Sequence, residues 1–106
     1  MTIKSQTTQK TLERITELTG SKLTLARFLW AIRKSKGLPQ VKFAEVLNIS
    51  PQHLCDIEHG RKVVSPKLAA SYAEKLGYSK EQFIRLSLQD IVDRDDLGFV
   101  VELRSK

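Results

Sequence analysis

A chain of 106 residues, 41% hydrophobic and 28% charged, suits one globular domain with a modest core. One cysteine, Cys55, excludes an intrachain disulfide and fits a reducing cytoplasm; the polar start "MTIKSQTTQK" lacks the apolar stretch of a signal peptide, and the longest apolar run, "FLWAI" at 28–32, is too short to cross a bilayer. The net charge of +6 lies wholly in residues 1–62, where eleven Lys and Arg meet five Asp and Glu, while residues 63–106 carry seven of each; such asymmetry is the electrostatic pattern of a polyanion binder.

Residues 1–10 are polar, rich in Thr, Gln and Lys, and are expected to be a disordered tail. Leu12, Ile15 and Leu18 then recur at helical spacing up to Gly20, which predicts a short helix over 11–20. The stretch 24–37 predicts a stronger one. Thr24 is a natural N-cap, Leu25, Phe28, Leu29 and Ile32 form one face, and Gly37 can take the left-handed conformation that stops a helix. Trp30 lies off that face, and its expected place is against the N-terminal or the last helix. Pro39 opens the next helix, with Val41, Ala44 and Leu47 as the expected inner face and Asn48 at its end.

Ser50-Pro51 and Ser65-Pro66 are repeated start signals, an N-cap followed by proline at the first helical position. The first starts a helix over 51–59 that buries Leu54 and Ile57. The second starts one lined by Leu68, Ala69, Tyr72, Ala73 and Leu76 as far as Gly77. Ser79 and Gln82 match a capping box, and a last helix runs from there to about Arg94. The tail "LGFVVELRSK" alternates apolar and polar residues and is rich in β-branched side chains, so residues 97–106 are expected to form a strand.

The helices at 39–47 and 51–59 are separated by a three-residue turn, which is helix-turn-helix spacing. Ala44 supplies the small residue where the second helix crosses the first, and Asn48 supplies the left-handed bend. In such a unit the second helix enters the DNA major groove and its first residues meet base edges. The segment "AIRKSKGLPQVKFAEVLNISPQHLCDIEHGRK", followed by a helix ending in "YAEKLGY", resembles the lambda-repressor-like helix-turn-helix proteins of the XRE or Cro/cI type over about residues 24–78. The elements that carry the resemblance are Arg33, Gly37, Gln40, Ala44, Leu54, the Ile57-Glu58 pair and Gly60. Pro39 replaces a usual capping residue, Asn48 a common glycine and Cys55 a usual serine, and the loop "KVVSPK" is longer than the usual link.

The resemblance implies an all-α, five-helix DNA-binding domain over 11–94, to which the alternating tail is expected to add a C-terminal β-strand. It implies a sequence-specific transcriptional regulator, most simply a repressor, binding a pseudo-palindromic operator in double-stranded DNA as a homodimer. The base-reading candidates are Pro51, Gln52, His53, Cys55 and Asp56; a glutamine such as Gln52 can bond bidentately to adenine. The phosphate-binding candidates are Lys36, Gln40, Lys42, Ser50, His59, Arg61 and Lys62. Arg33 and Glu58 are expected to form a buried structural ion pair. Leu88, Ile91, Phe99, Val100, Val101 and Leu103 are the expected dimerisation residues, because a lone strand needs a second copy to satisfy its backbone. Similarity to HigA-like antitoxins adds an alternative: a chain that represses its own operon and also binds a small toxin.

A metal site is not expected, since Cys55 and His59 share a helix face while His53 points elsewhere, and a structural zinc ion wants four ligands. No cofactor motif and no catalytic constellation is legible, so the chain is not expected to be an enzyme.

Overall fold

The structure, a computed structural model, describes residues 23–106. The expected tail at 1–10 and helix at 11–20 lie outside the described residues. Among the described residues five helices follow one another: α1 (Leu25–Ser35), α2 (Gln40–Leu47), α3 (Pro51–Glu58), α4 (Pro66–Leu76) and α5 (Lys80–Arg94).

Local hydrogen bonds set most of the boundaries. The hydroxyls of Thr24, Ser50, Ser65 and Ser79 accept from the backbone N–H groups of Arg27, His53, Leu68 and Gln82, so four helix starts are capped by their own side chains. Pro39 has no side-chain acceptor to offer, and α2 begins without such a cap. Asn48 and Gly77 take left-handed backbone conformations at the ends of α2 and α4, and the next residues, Ile49 and Tyr78, donate back to Ala44 and Ala73.

α4 and α5 pack closely together; α2 lies against α3 and α4, and α1 against α3 and α5. Phe28, Phe43, Leu47, Leu54, Ile57, Tyr72 and Phe83 fill the space between them. Phe28 ties α1 to α5 through Phe83 (5.1 Å between ring centroids) and meets Tyr78 edge-on at 5.8 Å. The stripe of α2 is Phe43, Ala44 and Leu47, and Val41 is 53% exposed. Val41 was expected inside, but Phe43, Ala44 and Leu47 sit closer together on the helical wheel and put Val41 on the rim. Leu68 is likewise exposed at the start of α4. Trp30 is exposed on α1, with the Lys34 ammonium 5.8 Å from its ring centroid.

The expected C-terminal strand is not there. Among the described residues there is no strand, and the fold is all-α; residues 97–106 follow α5 without regular structure. The physical reason is a missing backbone partner. The Gln89 side chain takes that role: its amide donates to the Phe99 carbonyl at 2.8 Å and its oxygen accepts from the Val101 N–H at 2.7 Å. One glutamine thereby satisfies the two backbone groups that a neighbouring strand would have paired.

Asp90 joins α5 to the start of α1 by accepting from the Leu25 N–H at 3.2 Å. Burial raises its pKa from 3.8 to about 6; the Leu25 bond opposes the shift, Asp93 adds to it and Arg94 opposes it. A pKa that is higher in the folded state means that the native protein binds more protons than the unfolded chain. Stability from this group is therefore full below pH 3.8 and is lost as pH rises through about 6. Asp90→Asn keeps an acceptor for Leu25. It is expected to match the parent at about pH 4 and exceed it at about pH 7 in urea-unfolding midpoints. The same gap at both pH values would show that Asp90 is fully hydrated.

Candidate nucleic-acid interface

The outer face of α3 is built from its buried side outward. Leu54 and Ile57 anchor the helix in the core. Beside them, Arg33 at the end of α1 donates from Nε and Nη2 to the two Glu58 carboxylate oxygens at 2.8 and 3.0 Å, and from Nη1 to the Leu38 carbonyl at 3.1 Å. The Glu58 side chain is only 3% exposed, so the fork is bidentate and largely dry. Gln40, the first residue of α2, donates to Glu58 Oε1 at 2.9 Å. Three elements are thus pinned at one carboxylate. Lys75 of α4 adds a bond to the Leu47 carbonyl at 3.1 Å, which satisfies the end of α2 just before the turn.

The turn then delivers α3. Asn48 reverses the chain at φ 60°, and Ser50 caps the new helix through the His53 N–H at 3.0 Å, with Pro51 at its first position. Pro51 and Gln52 are exposed; His53, Cys55 and Asp56 are half-buried. Gln52 donates from Nε2 to Asp56 Oδ1 at 3.1 Å, and Arg61 donates from Nε to the same oxygen at 2.9 Å. The Arg61 guanidinium holds the Asp56 carboxyl below the usual carboxylate range, with Gln52 and Lys62 assisting.

Behind α3, Gly60 sits at φ +74° with open space around it, a backbone shape that a Cβ would strain. That bend sends the Arg61 and Lys62 N–H groups back to the Asp56 carbonyl at 2.8 and 3.2 Å, which fixes both bases beside the exposed face. Arg94 of α5 secures the same loop through the Gly60 carbonyl at 2.9 Å.

The candidate phosphate residues fall into two groups. Lys36, Lys42, Ser50, His59, Arg61 and Lys62 are exposed around α3 and the ends of α1 and α2, with Lys42 loosely beside Glu45 at 3.9 Å. Gln40 is half-buried and its amide is engaged at Glu58. Sequence patterning had no means of revealing that bond, because the two residues lie eighteen positions apart.

His59 Nδ1 lies 2.8 Å from the Cys55 carbonyl and 3.5 Å from its sulfur, and Arg61 Nη2 is also 3.5 Å from that sulfur. Among the described residues no three of His, Cys, Asp and Glu gather as metal ligands. Among the same residues no helix is long and apolar enough to cross a membrane.

Leu88 is half-buried on α5 and Ile91 is exposed; Val101 and Leu103 are half-buried, and Leu97, Phe99 and Val100 project outward. A family model described as helix-turn-helix matches residues 31–83, from the middle of α1 to the start of α5. No curated protein and no solved structure matches the chain.

Proposed function

Because the chain belongs to the lambda-repressor-like helix-turn-helix family, a family of DNA-binding regulators, we propose that it represses transcription as a homodimer on a pseudo-palindromic operator. In this reading α3 lies in the major groove, Gln52 and its neighbours meet base edges, and Lys36, Lys42, Ser50, His59, Arg61 and Lys62 contact the sugar-phosphate backbone. The observation that carries the reading is the exposed start of α3, flanked by bases and held at its other end by the Arg33–Glu58–Gln40 cluster. A reading helix must be rigid, since a displaced side chain loses its hydrogen bond to the base.

One helix covers only a few base pairs, so selectivity on a genome calls for two copies whose reading helices lie about one turn of DNA apart, ~34 Å. The apolar surface of Leu97, Phe99 and Val100 is assigned to the second copy, not to a toxin, because a palindromic site demands a two-fold partner in any case.

Selection of bound sequences from random DNA, followed by titration of two variants, tests this function. Gln52→Ala is expected to lose about 1–3 kcal/mol on the selected site and to relax preference at one base position. Lys62→Ala is expected to weaken all sequences alike and to reduce the slope of log K against log salt by about one. No enrichment of any sequence, with salt-insensitive binding, would overturn the proposal.

A further inference from the structure

The carboxylate of Asp56 is out of place on a surface meant for phosphates, yet it is not an idle charge. A single oxygen, Oδ1, accepts from Gln52 on one side and from Arg61 on the other, and the Asp56 side chain is 19% exposed. A carboxylate only accepts, so Gln52 must turn its NH2 group toward Asp56 and its carbonyl oxygen away. Without that neighbour, the two ends of an exposed amide would exchange freely by rotation about the last side-chain bond.

We infer that Asp56 is a positioning residue for base recognition, setting the Gln52 amide in one of its two orientations before DNA arrives. The inference rests on the reading of α3 as the major-groove helix. Held this way, Gln52 presents its carbonyl oxygen beside its second N–H. That acceptor–donor pair matches the N6 amino group and N7 of adenine, whereas the flipped amide would present the opposite order. Arg61 serves the same end from the far side. Its bond to Oδ1 fixes the carboxylate, and its charge, with that of Lys62, offsets the repulsion between Asp56 and phosphates. The bent backbone at Gly60 brings Arg61 to that place, so the orientation of a base-reading side chain is traced to the helix stop that follows it.

The test separates the acceptor from the charge. Asp56→Ala removes both; Asp56→Asn removes the charge and leaves an oxygen for Gln52. Both variants are expected to bind random-sequence DNA more tightly than the parent, because an anion has gone. Preference at the Gln52 base position is expected to fall roughly tenfold in Asp56→Ala and to persist in Asp56→Asn. Adding Asp56→Ala to Gln52→Ala is expected to cost no further preference at that position, since the two act as one unit.

A parent chain with a preferred site whose preference survives Asp56→Ala would overturn the positioning role alone, as would an equal loss in Asp56→Asn. A parent chain with no preferred site would overturn the major-groove reading and this role with it.

Discussion

Replacing Arg33 with methionine is expected to lower stability by about 3–5 kcal/mol, the cost of stranding one partner of a buried ion pair. Glu58 would keep its place at 3% exposure while losing both guanidinium bonds, and the Gln40 amide would remain as its partner among the described side chains. The Leu38 carbonyl would lose its donor as well. In thermal unfolding each kcal/mol corresponds to roughly 4–8 °C for a domain of this size, so the shift is large. Pairing Arg33→Met with Glu58→Leu is expected to recover much of the loss, because the exposed cost is that of the unpaired carboxylate and not of the missing attraction. An Arg33→Met protein that melts with the parent would mean that water reaches Glu58. On the proposed reading the same variant also bears on function, since the carboxylate is where α1, α2 and α3 meet, and a looser α3 would read bases less well.

The second large effect is expected on operator affinity. Phe99 is 71% exposed and Val100 81%, with Leu97 exposed beside them; this apolar surface is the one proposed for the second copy. Gln89 keeps this segment against α5, so the surface is presented in a fixed place. Phe99→Asp together with Val100→Asp leaves that glutamine and the core intact, and the helical circular-dichroism signal should not change. Sedimentation should show a monomer in place of a dimer, and affinity for a full operator should fall by about 10²–10⁴-fold as the two half-sites cease to be bound as one unit. A variant that still sediments as a dimer would place the contact elsewhere, with Ile91 on α5 the next surface to substitute.

The sequence by itself determined where the helices begin and end. Ser50-Pro51, Ser65-Pro66 and Ser79 act through hydroxyls that reach an N–H three residues ahead, and Asn48 and Gly77 act through their own backbone angles. Those interactions close within a few residues, so they are legible as spacing. The short turn between α2 and α3, and with it the helix-turn-helix pattern, follows from the same local rules.

The tertiary structure decided what depends on partners distant in the chain. The alternating pattern of the tail suited a strand, but a strand exists only beside another backbone, and here the Gln89 side chain stands in for one across twelve residues at Val101. Val41 was expected on the inner face with Ala44 and Leu47; the folded chain buries Phe43 there instead and leaves Val41 outside. Gln40 carried the same side chain in either setting, and the nearness of Glu58 committed its amide inward. Asp56 stood among the base-reading candidates by its place on the helix; that Gln52 and Arg61 converge on one of its oxygens emerged only in the folded chain. Periodicity records which side of a helix a residue occupies, whereas the neighbour that side will meet is fixed only when the helices have packed.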